Sequence, residues 1–353
     1  MSRPARLCID TQALVHNYQL LRRLHGGRVL AVLKANAYGH GAGQCASALA
    51  HCADGFAVAF GEEASALREA GVRAPVLVLE GLFHEAELPI AVREQWWIVV
   101  HHEAQLRMIE QSSQASALNV WLKVDTGMHR CGFQTSLVHQ AYSRLKATGK
   151  VASITLMSHF ARADEAGEGF TSTQIACFDQ ATAELPGPRS LANSAGVVCW
   201  PGARRDWARC GLALYGVDPA GRSLSDLRPV MSARSEIIAI TEVAAGEAVG
   251  YGGRFVASRP SRIGLVAFGY ADGYPRGTSD GTPVAVDGQR VPLAGRVSMD
   301  MLTVDLTDLP SARIGSEVEL WGGLVSAAEV AASAGTIAYE VLCNAKRAPR
   351  LPG

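Results

Sequence analysis

A lysine stands at the end of an apolar run near the N-terminus. The run "VLAVL" at residues 29–33 leads directly into Lys34, where a strand buried on both faces would carry another apolar side chain. Removing an unpaired ammonium group from water is costly, so such a lysine is expected to have a lowered pKa or a covalent partner. Either state makes Lys34 a candidate nucleophile.

Polar residues also stand at the ends of other apolar runs. They are Lys123, Asp125 and Arg130 after the fifth run, His159 in the sixth, Asn193 and Ser194 in the seventh, and Arg209 and Gly211 in the eighth. In a (β/α)8 barrel, residues at the carboxyl ends of the strands face the active site, and strands seven and eight commonly bind phosphate. Ser194 and Gly211 offer a hydroxyl and an unobstructed backbone amide for a phosphate group.

Together these features indicate pyridoxal 5'-phosphate held as a Schiff base. A desolvated lysine with a lowered pKa is what imine formation requires, and the phosphate site would hold the cofactor. A barrel aldolase that forms a Schiff base with its substrate shares both features. Its lysine usually lies later in the strand order, whereas Lys34 ends the first strand.

Eight short apolar runs, most of them separated by segments of helical composition, must position these residues. They occupy residues 29–35, 56–59, 76–80, 97–100, 119–125, 154–160, 189–194 and 209–216. This alternation predicts a parallel (β/α)8 barrel, with an open doubly wound sheet as the competing topology. Before the first strand, Asp10 or Thr11 offers a helix cap, and Leu14, Tyr18 and Leu21 fall on one helical face.

The composition changes after about residue 230. Short segments of strand composition such as "EIIAITEV" and "RIGLVAFGY" are broken by glycine and proline, and the pair Asp287-Gly288 is a two-residue hairpin signal. We therefore predict a cofactor-binding barrel domain over residues 1–230. A mostly antiparallel β domain should follow over residues 231–353, with short helices after residue 326.

Length, charge and cysteine content narrow the class of protein. The 353 residues suit a barrel plus a smaller domain, and the 33 basic and 33 acidic residues form no long block that would indicate a nucleic-acid or anionic-membrane surface. The N-terminal "MSRPARLCID" lacks the apolar core of a secretory signal, and no later run approaches the ~18 apolar residues of a membrane span. The eight cysteines lack paired CxxC spacing, which favours free thiols, no metal site and a cytoplasmic location.

Seven motifs resemble those of the bacterial alanine racemases, in the same order and over nearly the whole chain. They are "AVLKANAYGHG", "KVDTGMHRCGF", "SHFARADE", "NSAG", "GYADGYPRG", "GRVSMDM" and "YEVLC". The resemblance implies a fold-type III pyridoxal-phosphate enzyme that interconverts L-alanine and D-alanine. It also implies a head-to-tail homodimer with shared active sites, serving either peptidoglycan synthesis or alanine catabolism.

The resemblance assigns roles to four central residues. Lys34 would hold the cofactor and act as the base on one face of the substrate, and Tyr251 in "VGYGGRF", contributed by the other subunit, would be the base on the opposite face. Two bases are needed because a single base tends to return the proton to the side it came from. Arg209 would face the pyridine nitrogen without giving up its proton, and His159 would hold Arg209 by a hydrogen bond.

Other matches concern the binding of cofactor and substrate. Arg130 would bind the cofactor's phenolic oxygen and the substrate carboxylate, and Lys123 matches a lysine that is often carbamylated, which would give Arg130 an anionic partner. The remaining matches are Tyr38, Ser194, Gly211 and Tyr339 at the phosphate, the Met299 backbone near the substrate carboxylate, and Asp164, Tyr270, Arg276 and Arg296 at the entryway.

Two positions depart from the family's usual form, and three alternatives remain. Ser298 stands where cysteine or threonine is common, and Cys210 where proline or an aliphatic residue is common. A fold-type III decarboxylase would place a carboxylate, not Arg209, near the pyridine nitrogen. A non-catalytic pyridoxal-phosphate carrier would lack the C-terminal β domain, and a broader-specificity racemase would be expected to carry an export signal.

Overall fold

The computed structural model describes residues 3–113, 115–165, 167, 169–221, 224 and 226–353. The chain divides into two compact units. The barrel unit comprises Leu14–Ala37 and Ala42–Leu227, and the C-terminal unit comprises Met1–Ala13, Tyr38–Gly41 and Arg228–Gly353. The N-terminal residues, which the sequence analysis places with the barrel, thus group with the C-terminal unit.

The barrel unit is built on a closed parallel sheet. Within the described residues the eight strands of the closed barrel are Arg28–Val32, Gly55–Val58, Val76–Val78, Trp96–Val100, Leu118–Asp125, Val151–Met157, Arg189–Ser190 and Trp207–Cys210. A ninth, two-residue strand of the same sheet, Phe133–Gln134, pairs with the end of the fifth. The last strand pairs with the first, with Arg209 opposite Leu30, and this pairing closes the barrel. Each predicted apolar run overlaps one of these strands, so the barrel is confirmed and the open sheet is excluded.

Burial on both faces explains why these strands read as continuous apolar runs. In Arg28–Val32, the residues from Val29 to Val32 are all buried, and in Val76–Val78 every residue is buried. A strand covered by helices outside and by packed side chains inside has no face for alternating polar residues.

Helices surround the barrel. They are Thr11–His25, Ala42–Leu49, Gly61–Glu69, Leu88–Arg93, Glu103–Gln111, Val138–Ala147, Gly169–Thr182 and Ser194–Cys199, with short 3₁₀ segments at Glu85–Glu87, Thr135–Leu137, Pro201–Ala203 and Leu212–Tyr215. The predicted cap is Asp10, whose Oδ1 accepts a hydrogen bond from the Ala13 amide at 2.8 Å, while Leu14, Tyr18 and Leu21 are fully buried. Across the described part of the chain, every helix is too short or too polar to cross a bilayer.

The C-terminal unit contains a mostly antiparallel sheet. Its strands, within the described residues, are Arg6–Ile9, Met231–Val243, Ser261–Val266, Pro283–Val286, Gln289–Pro292, Leu302–Asp305, Glu317–Trp321 and Arg350–Pro352. Arg6–Ile9 pairs antiparallel with Met231–Val243 and parallel with Arg350–Pro352, which explains why the N-terminus groups with this unit.

The predicted hairpin and the predicted short helices are both present in this unit. Val286 pairs with Gln289, and Asp287 and Gly288 between them have φ values of 46° and 82°, as a two-residue hairpin turn requires. The short helices after residue 326 are Ala327–Ser333 and Ala338–Asn344. A separate ribbon pairs Ala248–Val249 with Phe255–Val256 around the 3₁₀ turn Tyr251–Gly253.

Candidate active site

The chain adopts an unusual backbone conformation directly after Lys34. Ala35, Asn36 and Ala37 have φ values of 53°, 54° and 55°, and Tyr38 follows with 48°. A left-handed helical conformation costs an L-residue about 1–2 kcal/mol, and non-glycine residues normally adopt it singly. Strain of this kind persists only where surrounding contacts enforce it, and it is concentrated at functional sites.

Glu63 supplies one of the contacts that hold this turn. Its Oε1 accepts a hydrogen bond from the Ala35 amide at 2.6 Å, while its Oε2 accepts from the Ala59 amide at 2.7 Å. The carboxylate therefore ties the turn after the first barrel strand to the loop after the second. The role of Glu63 was not predicted from the sequence, because a glutamate in the first turn of a helix usually stabilises only that helix.

The ammonium group of Lys34 is destabilised by its surroundings. Burial lowers the pKa of Lys34, and the positive charges of Arg130 and Lys123 lower it further, against the opposing effect of Glu80 and Glu63. The net shift is downward. Near neutral pH, Lys34 is therefore more often in its uncharged amine form than an ordinary lysine is, as the sequence predicted. A free amine can attack a carbonyl or accept a proton.

Arg209 is buried and held by main-chain oxygens. Its Nη1 donates to the Ser190 carbonyl at 3.0 Å and to Ser190 Oγ at 2.5 Å, and its Nη2 donates to the Ser158 carbonyl at 2.6 Å and to the Leu191 carbonyl at 3.3 Å. Burial lowers the pKa of Arg209 to about 10, so the guanidinium stays charged at neutral pH. The result is a fixed, permanent cation on the last barrel strand.

His159 lies beside this cation as a neutral ring. Burial lowers the pKa of His159 well below its usual value, and the charges of Arg209, Lys123, Arg130 and Lys34 lower it further. Its Nδ1 is 3.4 Å from Nη2 of Arg209, and because a guanidinium only donates, this nitrogen must be the acceptor. This contact is longer than the hydrogen bonds from Arg209 to the Ser158 and Ser190 carbonyls. Those carbonyl oxygens therefore fix Arg209 more than His159 does, although the resemblance assigned this role to His159.

A buried polar network supports the strand ends from behind. Ser158 Oγ donates to the Val124 carbonyl at 2.8 Å and lies 2.8 Å from Thr126 Oγ1. Gln174 Nε2 donates to Thr126 Oγ1 at 3.2 Å and to the His159 carbonyl at 3.1 Å. These bonds link strands five and six of the barrel, and so they fix the backbone that carries His159.

Ser194 and Gly211 come together as predicted from the seventh and eighth runs. Ser194 Oγ accepts hydrogen bonds from the amides of Gly211 at 3.0 Å and Ala213 at 3.3 Å. Asn193 caps the helix Ser194–Cys199, with its Oδ1 accepting from the Gly196 amide at 2.9 Å. A hydroxyl and several backbone amides thus meet at the carboxyl ends of these two strands.

Lys123 and Asp125 end the fifth strand in different environments. Lys123 is buried, and its Nζ donates to the Sγ of Cys131 at 2.8 Å. Asp125 Oδ1 accepts from the amides of Gly127 and His129, and these bonds outweigh the effect of burial so that the pKa of Asp125 is lowered. Asp125 therefore shapes the turn after the strand, whereas Arg130 in that turn is exposed.

Most of the predicted residues of the C-terminal unit lie at its surface, whereas Tyr38, which groups with this unit, is buried. Tyr251 is 69% exposed in the turn of the short ribbon, and Met299 is 55% exposed. The rings of Tyr38 and Tyr339 are in edge contact, with centroids 5.6 Å apart. The Met299 carbonyl accepts from the Ala271 amide at 2.9 Å, which fixes its backbone.

The four entryway candidates have unequal surroundings. Tyr270 and Arg276 line one cavity of about 410 Å³ in the C-terminal unit. Arg296 is half-buried in the same unit, and Asp164 is exposed in the barrel unit.

The two positions that depart from the family's usual form have structural contacts of their own. The backbone carbonyl of Ser298 accepts a hydrogen bond from the Tyr270 amide at 3.0 Å. Burial raises the pKa of the Cys210 thiol to about 12, which leaves this thiol unreactive.

The donor set of the barrel unit fits an anionic aldehyde cofactor. His159 lies within the electrostatic reach of Arg209, Lys123, Arg130 and Lys34, so this end of the barrel is rich in positive charge. A phosphate and a phenolic oxygen would be stabilised there, and the Lys34 amine is the group that would bond to an aldehyde carbon.

Comparison with known proteins decides the family. The family model "Alanine racemase, N-terminal domain" matches residues 9–219, and the model "Alanine racemase, C-terminal domain" matches residues 230–352. The chain belongs to the alanine racemase family. The resemblance inferred from the seven motifs is confirmed.

Relatives and solved structures of the alanine racemase family agree over the full length. The alanine racemase of Azoarcus sp. (strain BH72) is 61% identical over 345 residues, which cover 98% of each chain. The biosynthetic alanine racemase from Pseudomonas aeruginosa has a TM-score of 0.97 at 45% identity, covering 100% of both chains. The alanine racemase from Bartonella henselae with covalently bound pyridoxal phosphate has a TM-score of 0.91 at 30% identity, also covering 100% of both chains.

Membership of the alanine racemase family settles the reaction class. The chain is an isomerase that interconverts L-alanine and D-alanine, and pyridoxal 5'-phosphate is its cofactor, as predicted. The carrier protein is not favoured, because the C-terminal domain is present and matched. The broader-specificity racemase and the decarboxylase are not favoured either.

Proposed function

We propose that the protein racemises alanine with two bases, Lys34 and Tyr251 of the partner subunit. The lowered pKa of Lys34 carries this proposal, because it increases the share of neutral amine at the carboxyl end of a barrel strand. Tyr251 is exposed on its own chain, at the tip of a turn, as suits a side chain offered to another subunit. Bases on opposite faces of the α-carbon allow a proton to leave on one side and return on the other.

The barrel residues prepare this proton transfer. When bound, pyridoxal 5'-phosphate supplies an electron sink that makes the α-proton of alanine acidic. The Lys34 amine accepts or returns the proton at one face of the α-carbon. Arg209 keeps its own proton, since even its lowered pKa is about 10, so its fixed guanidinium would donate a hydrogen bond rather than a proton to the nitrogen of a bound cofactor ring. A ring held in this way would be a weaker electron sink, which would restrict side reactions.

Other residues bind the charged groups of cofactor and substrate. We assign Arg130 to the phenolic oxygen and the substrate carboxylate, with the Met299 backbone also near that carboxylate. The phosphate contacts are Tyr38, Ser194, Gly211 and Tyr339, and the entryway residues are Asp164, Tyr270, Arg276 and Arg296. The clustering of Ser194 with Gly211, and of Tyr38 with Tyr339, supports the phosphate assignment. Carbamylation of Lys123 would place an anion near Arg130.

A head-to-tail homodimer is part of the proposal. Large apolar side chains are exposed on the C-terminal unit, among them Tyr251, Tyr270, Met299 and Met301. Covering them with a second copy would remove apolar surface from water. The cytoplasmic location and the domain boundary at residue 230 stay predictions.

Borohydride reduction tests the role of Lys34. Reduction should fix the cofactor to the amine that holds it, and peptide mapping should locate the label on Lys34. Lys123 is the matched control, because it is a buried lysine of the same barrel end. A label on Lys123, or on any other lysine, would refute the assignment.

Mixed dimers test the role of Tyr251. Tyr251→Phe and Lys34→Ala should each abolish racemisation alone. When the two variants are unfolded and refolded together, half of the dimers pair one chain of each kind, and each hybrid holds one intact composite site. Activity should return to about a quarter of that of the wild type. If no activity returns although hybrid dimers form, the two bases do not come from different chains.

A further inference from the structure

A lysine and a cysteine lie against each other at the end of the fifth barrel strand. Nζ of Lys123 is 2.8 Å from Sγ of Cys131, which is closer than hydrogen bonds to sulfur normally are. Lys123 is buried, with 6% of its surface exposed, whereas Cys131 is half-buried and so can be reached from solvent. The pair therefore combines a constrained amine with an accessible thiol.

The fold brings the two residues together. After the strand Leu118–Asp125 the chain turns and returns as Phe133–Gln134, which pairs parallel with the end of the same strand, Phe133 opposite Val124. Cys131 lies two residues before that pairing, and Lys123 lies one residue before Val124. The separation of Nζ and Sγ is thus set by backbone pairing at both ends of a short loop.

Two further features make this loop rigid. Gly132 has a φ of 135°, and a Cβ built there would lie 2.6 Å from the Asp125 amide nitrogen, so the chain passes this point in close contact. Asp125 Oδ1 accepts hydrogen bonds from the amides of Gly127 at 2.9 Å and His129 at 3.1 Å. The thiol is therefore held beside the amine rather than sampling many positions.

We propose that Lys123 and Cys131 form a reversible sulfur–nitrogen crosslink when the protein meets hydrogen peroxide. The Cys131 sulfur attacks one peroxide oxygen, the O–O bond breaks, and a sulfenic acid and one water form. The Lys123 amine then attacks that sulfur, the S–O bond breaks, and a second water leaves with one amine proton. Sulfur loses two electrons and the peroxide gains them. Two molecules of a small thiol reverse the reaction and leave as their disulfide.

The crosslink changes the charge near the racemisation site. Lys123 is one of the cations that lower the pKa values of Lys34 and His159, and a sulfenamide nitrogen does not carry that charge. The crosslink also occupies the nitrogen that carbamylation needs, so the two modifications exclude each other. This effect on activity rests on the proposed function, whereas the formation of the bond does not.

Mass spectrometry of the holoenzyme tests the bond. The protein is treated with hydrogen peroxide in buffer free of bicarbonate and then digested with trypsin. Cleavage after Lys123 should be blocked, and residues 108–130 should appear joined to residues 131–144, about 2 Da lighter than the two peptides together. Dithiothreitol should separate them. If Cys131 carries only a sulfenic or sulfinic acid while Lys123 is still cleaved, the proposal is wrong.

Matched variants complete the experiment. Cys131→Ser should give no linked peptide, whereas Cys52→Ser should give as much as the wild type, because Cys52 is also half-buried but its thiol bonds to the Leu49 carbonyl. Cys131→Ala provides a second variant should the serine disturb folding. Racemisation by the treated wild type should fall in proportion to the linked fraction and recover with dithiothreitol. Linked peptide in Cys131→Ser would overturn the assignment.

Discussion

Acidification should weaken the fold through His159. In the folded protein, burial and then the neighbouring cations hold the pKa of His159 well below 6.5, so the ring stays neutral where the unfolded chain already binds a proton. The stabilisation due to this group is complete above pH 6.5, and it is lost as the pH falls below 6.5 toward the folded-state pKa.

The size of the effect follows from one proton. Between pH 6.5 and the folded-state pKa, the unfolded state binds up to one proton more than the folded state at this residue. The free energy of unfolding should therefore fall by up to about 1.4 kcal/mol per pH unit because of His159 alone. His101 and His25 also have pKa values lowered by burial and add to the total slope, so the contribution of His159 must be measured as a difference.

The comparison uses His159→Asn, since an amide oxygen replaces the Nδ1 acceptor next to Arg209 but does not titrate. Urea unfolding of both proteins is followed from pH 7.5 to 5.5. The wild type should lose more stability than the variant below pH 6.5, and the two curves should run parallel above it. Parallel curves over the whole range would show that His159 accepts a proton in the folded protein as readily as in the unfolded one, and the reasoning would fail.

Two substitutions test contacts elsewhere. Gly132→Ala should lower the free energy of unfolding by about 3 kcal/mol, because its Cβ would meet the Asp125 amide and its φ of 135° is unfavourable for alanine. Gly202→Ala is the control, because the space around a Cβ at that position is open. An equal loss of stability in both variants would contradict the contact at Gly132. Arg3→Met should lower the free energy of unfolding by about 3 kcal/mol, because the buried carboxylate of Asp272 loses both hydrogen bonds from Arg3 and keeps the one from the Gly269 amide. Thermal and urea unfolding should show this loss, and no measurable change would mean that Asp272 is satisfied without Arg3.

Local patterns predicted the frame of the molecule. A strand covered on both faces needs apolar residues at consecutive positions, so eight such runs predicted the eight barrel strands. A helix start needs a side-chain acceptor, and Asp10 supplies it for the helix Thr11–His25. In the same way, the turn of the hairpin needs residues that tolerate positive φ, and Asp287-Gly288 meets that need. These features depend on residues that are adjacent in the chain, and they can therefore be predicted from the sequence.

The strand of Arg6–Ile9 was not predicted because its partners are distant in sequence. Nothing in four residues of ordinary composition indicates pairing with Met231–Val243 and Arg350–Pro352. The left-handed turn after Lys34 is a similar case. Alanine, asparagine and tyrosine have no local preference for four successive positive φ values, so the conformation exists only because contacts such as that of Glu63 enforce it.

The sequence by itself determined the barrel, the class of chemistry and the identity of the lysine that ends the first strand. The apolar runs, the polar residues that end them and the motifs are all properties of contiguous residues. Only the tertiary structure decided how those residues are held. The carbonyls of Ser158 and Ser190 that bind Arg209, and the thiol of Cys131 that meets Lys123, are brought into place by strand pairing. Every residue has a backbone carbonyl, so the sequence does not show which carbonyls accept hydrogen bonds from a side chain such as Arg209.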